Sequence, residues 1–332
     1  MSYPPAPITD FRGLVAVVTG GGTGMGRELV RQLTAAGCHV AMCDVDQEAM
    51  EETSELAFEQ AAGGVRITSF VANVADAAAM DAFAEHVRSS LDTPSISLLF
   101  NNAGIAGAGS FIKDDRAEWD RVFGVTWGGV LNGMRSFLPM LMASERGHVV
   151  NTSSINGMWA CLGPIGVNTA YSSAKFAVKG FTEALNVDFR VNAPHLTASV
   201  VMPGHIGTKI ALHSMVEMGL DPKNMTDEAV AQLREDIEAT GIDLSGASDE
   251  DIRSLMQLRV DLFENAAPTS AAQAATIILD AVKGGRWRVL VGPDAEALDE
   301  MMRERPTEVY SDEFMDQLQA DGHFTGGGLI QR

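Results

Sequence analysis

Leu14-Val15-Ala16-Val17-Val18 is an unbroken apolar run closed by Thr19-Gly20. Such a run fits a parallel strand buried on both faces better than a half-exposed one, which would alternate apolar and polar residues. A helix is expected from about Met25 to Ala36, with Gly37 as its C-terminal cap. His39 to Cys43 then reads as a second strand, ending at Asp44. Strand, helix and strand in so short a span make a βαβ unit. The alternation continues with strands at Arg66–Val71, Ile96–Phe100, Gly147–Thr152, Thr197–Val201 and Trp287–Val291. Helices are expected at Ala77–Ser89, Ala117–Met142, Tyr171–Val191 and Thr269–Val282, the longest broken near Gly128-Gly129. The predicted fold class is α/β: one domain with a doubly wound parallel sheet.

That domain is expected to span residues 11–292, after a flexible arm at 1–10 and before a C-terminal extension at 293–332. Residues 205–267 break the rhythm. They read as acidic amphipathic helices, with starts at Thr226-Asp227-Glu228 and Ser248-Asp249-Glu250. The insertion falls at the carboxyl edge of the sheet, where open α/β sheets bind ligands, so a substrate lid is expected. The plainer reading is a solvated pair of helices at an oligomer contact. Met215, Met218 and Leu220 would then be packing residues rather than pocket lining.

Composition narrows the partners. The chain has 332 residues, 46% of them hydrophobic, and a formal charge of −20. Nucleic acid and anionic membrane surfaces are disfavoured, because both are held by Lys and Arg. Cys38, Cys43 and Cys161 are too few and too scattered for a disulfide framework or a metal site, and the seven histidines show no ligand spacing, so no metal is expected. The opening MSYPPAPITD lacks the basic and apolar regions of a signal peptide, and no apolar run reaches about 18 residues. A cytoplasmic protein is expected.

The candidate chemistry lies at two places. Thr19-Gly20-Gly21-Gly22-Thr23-Gly24-Met25-Gly26 follows a strand and opens a helix. Glycines there permit a tight turn and bring backbone N–H groups against a pyrophosphate at the helix N-terminus. A glycine triplet alone is weak evidence, but this one has the strand before it and the helix after it. It also has an acid, Asp44, eighteen residues after Gly26 and at the next strand end. Asp44 could accept hydrogen bonds from ribose hydroxyls and would repel a 2′-phosphate, which favours NAD(H) over NADP(H). Its plainer role is a solubilising residue at a strand end. The second place is Tyr171-Ser172-Ser173-Ala174-Lys175, where phenol and amine share one helix face. A free tyrosine titrates near ~10 and is a poor acid–base catalyst at neutral pH. A drop of about three units needs roughly 4 kcal/mol, which Lys175 and an oxidised nicotinamide could supply together.

With these motifs stand Asn101-Asn102-Ala103-Gly104, Ser153-Ser154-Ile155-Asn156-Gly157 and Pro203-Gly204-His205-Ile206-Gly207-Thr208. In this order the five resemble a short-chain dehydrogenase/reductase over roughly residues 12–210, and more loosely over 268–292. The resemblance implies a Rossmann fold, a dimer or tetramer, and a small-molecule alcohol or ketone as substrate. It implies that Tyr171 exchanges a proton with the substrate oxygen, that Ser154 hydrogen-bonds that oxygen, and that Lys175 holds the nicotinamide ribose and lowers the tyrosine pKa. Ser153 is the alternative should the serine pair be shifted by one. Cofactor contacts are implied for Gly20, Thr23, Gly24, Met25 and Gly26 in the turn, and for Asn73, Val74, Asn102, Ala103 and Gly104 on the adenine and ribose side. Pro203, Gly204, Ile206 and Thr208 would lie at the nicotinamide end.

Two features depart from the family pattern. Thr126, in Gly124-Val125-Thr126-Trp127-Gly128, stands where an Asn that anchors a water to the lysine is usual. A hydroxyl offers one donor where an amide offers two. Tyr171 also follows Ser154 by seventeen residues, a longer interval than usual. The extra residues fall in Met158-Trp159-Ala160-Cys161-Leu162-Gly163-Pro164-Ile165, expected to border the substrate with Asn156 and His205; Met158 and Trp159 could equally be core. The expected function is NAD(H)-dependent oxidation of a secondary alcohol, or reduction of its ketone, with a bulky hydrophobic substrate. The alternatives are a dehydratase, epimerase or C=C reductase on the same scaffold, and a dinucleotide-binding regulator with weakened chemistry.

Overall fold

The computed structural model describes residues 3–107, 109–160, 168–217, 219–238 and 243–323. Seven parallel strands form the central sheet: β1 (Val15–Thr19), β2 (His39–Asp44), β3 (Ile67–Val71), β4 (Leu98–Asn101), β5 (Gly147–Thr152), β6 (Leu196–Pro203) and, after a short separate pair, β9 (Arg288–Val291). The pair is β7 (Ile206–Gly207) with β8 (Thr269–Ser270). The sheet order is β3-β2-β1-β4-β5-β6-β9, so the chain reverses direction between β1 and β4. That reversal opens a crevice at the carboxyl ends of these two strands.

The helices on the sheet are α1 (Gly24–Ala35), α2 (Gln47–Phe58), α3 (Ala77–Ser90), α4 (Arg116–Phe123), α5 (Gly129–Met142) and α6 (Thr169–Asn192). Both faces are covered, and β1 shows how. Ala16 and Val18 join one core cluster with Leu29 and Leu33 of α1. Val15 and Val17 join the other with Phe83, Phe137 and Leu185. Alternate residues point to opposite faces, so a strand covered twice must be apolar throughout. Each fully buried side chain of this size contributes about 1.5–3 kcal/mol.

Four features differ from the sequence-based expectation. Helix α2 fills the stretch between β2 and β3, started by the Asp46 side chain accepting from the Ala49 N–H at 3.0 Å. The break in the long helix is a π-helical turn at Gly124–Gly128. The arm is docked rather than loose: the Tyr3 hydroxyl donates to the Asn186 carbonyl at 2.9 Å, and Ile8 is buried in the core. After α7 (Ile210–Glu217), α8 (Asp227–Glu238), α9 (Asp249–Asn265) and α10 (Ala271–Lys283), the described residues of the extension hold two helices, α11 (Pro293–Glu304) and α12 (Asp312–Ala320).

Helices α8 and α9 start where Thr226 and Ser248 predict. With α7 they form the insertion, which carries its own small core of Met215, Met225, Val230, Ile252, Met256 and Val260. Met218 lies outside the described residues.

Candidate active site

The site is assembled at the β1–β4 crevice. Gly20 turns the chain with φ +67°, and an added Cβ would meet the Ala103 Cα at 2.9 Å. At Gly26 a Cβ would overlap the Gly20 carbonyl oxygen. The turn therefore closes only with glycine at these two positions. Thr19 ties it to β4: its hydroxyl oxygen accepts from the Asn102 N–H at 3.0 Å and the Ala103 N–H at 3.1 Å. The Asn102 amide donates to the Thr19 carbonyl at 3.2 Å, while its buried Oδ1 has no partner. An orphan acceptor beside a glycine cradle at a helix N-terminus is what a dinucleotide would complete.

Asp44 stands against this turn. Its Oδ2 accepts from the Gly22 N–H at 2.9 Å and its Oδ1 from the Val45 N–H at 2.8 Å. Thr23 caps α1 without a side-chain hydrogen bond, and Met25 packs on the core. Across the crevice, a Cβ on Gly24 would lie 3.2 Å from Thr208, so the turn and the 203–208 segment touch. Ile206 is buried on β7. Asn73 is exposed and its Oδ1 accepts from the Ala75 N–H at 2.9 Å. The Val74 side chain packs against Gly129 of α5.

The acid–base group lies one strand further on. Ser154 ends the segment after β5, and its hydroxyl lies beside the Tyr171 phenol. Ser153 faces away and donates to the Lys175 carbonyl at 2.8 Å. That singles out Ser154 as the serine facing the tyrosine. The Lys175 ammonium donates to the Thr152 carbonyl at 2.8 Å and lies 5.4 Å from the Tyr171 ring centroid. A Cβ on Gly104 would lie 3.4 Å from Lys175 Nζ, which joins this group to the end of β4. Burial pulls the Lys175 pKa down to about 7. Burial also raises the phenol of Tyr171 above its ordinary value of 10.0, opposed by the Ser154 hydroxyl. The expected lowering by Lys175 is thus not the net direction here, because desolvation disfavours both charged forms.

The Thr126 side chain is fully buried in the π-helical turn and donates to the Ile105 carbonyl at 3.2 Å. Single π-helical turns recur at functional sites. Ile105, Trp119 and Tyr171 pack on the buried Val122 and Ala170, an apolar cluster at the tyrosine that the sequence did not single out.

The expected substrate border divides. Asn156 is buried: its N–H donates to Ser154 Oγ at 3.1 Å and its side-chain amide to the Trp159 carbonyl at 3.1 Å. Trp159 is 1% exposed and belongs to a cluster with Ile155, Leu298 and Phe314. It packs as core against the C-terminal helices, because its large apolar surface is met there by α11 and α12. Met158 packs at the rim of that cluster. Residues 161–165 of the same loop lie outside the described residues. The His205 ring Nε2–H donates to the Phe263 carbonyl of α9 at 2.7 Å, and its backbone N–H donates to Asp294 at 2.5 Å. Asp294, in the first turn of α11, is 2% exposed and was not foreseen; Pro293 at the helix start was the available signal. Pro203 ends β6, and a Cβ on Gly204 would overlap the Asp294 carboxylate.

A separate cleft of about 1120 Å³ lies between the arm and the amino ends of the strands, lined by Pro7, Ser97, Arg146 and His195 among others. It is at the opposite edge from Tyr171, away from where parallel sheets bind ligands. Among the described residues there is no cluster of three metal-ligating side chains, and no helix is long and apolar enough to cross a membrane.

Comparison with known proteins agrees with this geometry. The short chain dehydrogenase profile matches residues 14–217. A Mycobacterium tuberculosis protein named as an oxidoreductase, SadH, is 33% identical over 296 residues, covering 89% of this chain and 92% of that one. Levodione reductase of Leifsonia aquatica is 32% identical over 230 residues, 68% of this chain and 80% of the other. A crystal structure of levodione reductase superimposes with a TM-score of 0.63 at 26% identity, covering 86% of this chain and 99% of that one. A Burkholderia phymatum short chain dehydrogenase/reductase solved in complex with NAD gives 0.69 at 24% identity, covering 90% and 96%. The seven-stranded sheet, the glycine turn and the extent of these matches establish that the chain belongs to the short-chain dehydrogenase/reductase family of oxidoreductases.

Proposed function

We propose that this oxidoreductase uses NAD(H) to oxidise a bulky, hydrophobic secondary alcohol or to reduce the matching ketone. The observation that carries the reading is the grouping of the Ser154 hydroxyl with the Tyr171 phenol, with Lys175 beside them and the Asp44-backed glycine turn across the same crevice. Gly20, Gly24 and Gly26 leave room for a pyrophosphate, Asn102 Oδ1 offers an unused acceptor, and Lys175 reaches towards Gly104. Bound there, the nicotinamide supplies the hydride acceptor or donor. Tyr171 holds or takes the proton at the substrate oxygen, and Ser154 orients that oxygen. Lys175 fixes the ribose side, and its charge favours the phenolate.

The preference for NAD rests on Asp44. Its carboxylate sits against Gly22, where a 2′-phosphate would meet it at close range. The hydrophobic substrate rests on the apolar cluster of Ile105, Trp119 and Val122 at Tyr171. The test is an NAD-linked screen over secondary alcohols of graded size, run in parallel with NADP. NAD should give the higher kcat/KM by at least about tenfold, a difference near 1.4 kcal/mol. Asp44→Ala combined with Val45→Arg should narrow or reverse that ratio. Equal efficiency with both dinucleotides in the unmodified protein would defeat the cofactor assignment.

A further inference from the structure

The C-terminal extension lies outside the residues matched by the family profile, yet it reaches Ser154 through a chain of hydrogen bonds. The Val309 carbonyl, between α11 and α12, accepts from the Trp159 indole N–H at 2.7 Å. The Trp159 carbonyl accepts from the Asn156 side-chain amide at 3.1 Å. The Asn156 backbone N–H donates to Ser154 Oγ at 3.1 Å, and the Ser154 hydroxyl lies beside the Tyr171 phenol. The exposed Tyr310 adds a parallel tie, its hydroxyl accepting from the Ala160 N–H at 3.3 Å.

We propose that Trp159 is a positioning residue, through which the 293–320 segment holds Asn156 and Ser154 in register with Tyr171. This rests on the functional reading above. Three facts favour a positioning role over simple core filling. Trp159 is 1% exposed, so its indole N–H must find a partner inside the protein, and it finds a backbone carbonyl that only the extension supplies. The Ile155–Gly157 turn is short, so a shift at Trp159 is passed to Asn156 with little slack. Gly157 packs so tightly on Ser153 and the Lys175 carbonyl that the turn has no room to relax towards α6. Asp294 anchors the same extension to the other side of the crevice through the His205 N–H.

Trp159→Phe removes the indole donor and keeps an aromatic ring. It should lower kcat by about tenfold, the scale of one hydrogen bond. KM for the dinucleotide should stay within about twofold, because the glycine turn is untouched. The Ser154 hydroxyl draws the Tyr171 pKa down, so its displacement should move the pH profile of kcat upward. In the dinucleotide-free protein, amide hydrogen exchange should quicken in the 153–160 peptide. Leu298→Ala is the control: it empties part of the same apolar cluster without cutting the chain, and should lower thermal stability while leaving the profile in place.

Wild-type kcat and profile in Trp159→Phe overturn the proposal. So does a loss of kcat that merely follows thermal stability, as in Leu298→Ala, with the profile unmoved. Should Trp159→Phe fail to fold, Tyr310→Phe decides, since its side chain is exposed. It should produce a smaller shift in the same direction, and no shift overturns the proposal. An active Tyr171→Phe enzyme would instead defeat the functional reading. An inactive Tyr171→Phe beside a normal Trp159→Phe defeats only the positioning role.

Discussion

The β1–β4 crevice and the carboxyl third of the chain serve one site but are built on different principles. The crevice is held by backbone geometry. Gly26 lies where any side chain would strike the Gly20 carbonyl, and Thr19 binds two N–H groups just past the end of the neighbouring β4. The later region is held by side chains that come from far apart: Phe263 on His205, Asp294 under Gly204, and Phe314 and Leu298 on Trp159. Backbone constraints dictate residue types, while packing constraints ask only for volume and polarity. The first kind tolerates no change in chemistry and the second leaves room for a new substrate. This contrast predicts where substitutions abolish the reaction and where they tune it.

The sharpest test is at Tyr171. Tyr171→Phe keeps the ring against Val122 and Ala170 and removes the exchanging proton. It should lower kcat by about 10²–10⁴-fold, with NADH binding, followed by fluorescence titration, nearly intact. Retention of more than about a tenth of the activity would mean that another group moves the proton. An effect of that size from any tail residue would erase the contrast between the two regions.

A smaller effect is expected from the buried amine of Lys175, read as stability against pH. Its folded-state pKa is about 7, below the ordinary 10.5. Between these values the unfolded chain binds more protons than the folded one, so stability rises with pH through that window. Below about 7 the cost of charging the buried amine is fully present. Lys175→Met removes this slope. Denaturant unfolding of the dinucleotide-free proteins should show its advantage over wild type shrinking by a few kcal/mol from neutral pH towards pH ~10. Parallel curves would show that Lys175 is well solvated when the dinucleotide is absent.

The smallest catalytic effect is expected at Thr126. Its hydroxyl proton is directed to the Ile105 carbonyl, so the side chain locks the π-helical turn to the loop after β4. Thr126→Val should cost about 1–3 kcal/mol of stability by orphaning that carbonyl. On this reading kcat changes by less than about threefold. Loss of kcat at unchanged melting temperature would restore the water-relay role implied by the family resemblance.

The strands and the reactive residues were legible for one reason: each is encoded locally. A strand buried on both faces reads as an apolar run, a cofactor turn as a glycine spacing, and Tyr171 with Lys175 as one helical turn. Even the helices of the 205–267 insertion announced themselves through Thr226 and Ser248, which cap them. Helix α2 was less visible because it buries little, among its residues Met50, Thr53 and Ala57.

What only the tertiary structure decided has the opposite character. Nothing near Trp159 in sequence says that its partner is the carbonyl of Val309, 150 residues away. The sequence left Trp159 open between pocket wall and core, and the arrival of α11 and α12 resolved it towards core. Asp294 is likewise an ordinary first-turn acid until the fold brings His205 to it. The direction of the Tyr171 pKa is decided by burial, a property of the assembled site rather than of the Tyr-to-Lys spacing. Sequence by itself determined which residues are the candidates for the chemistry, because short-range geometry and residue type are written in consecutive positions. Which residues hold them in place depends on contacts between distant segments, and these exist only once the chain has folded.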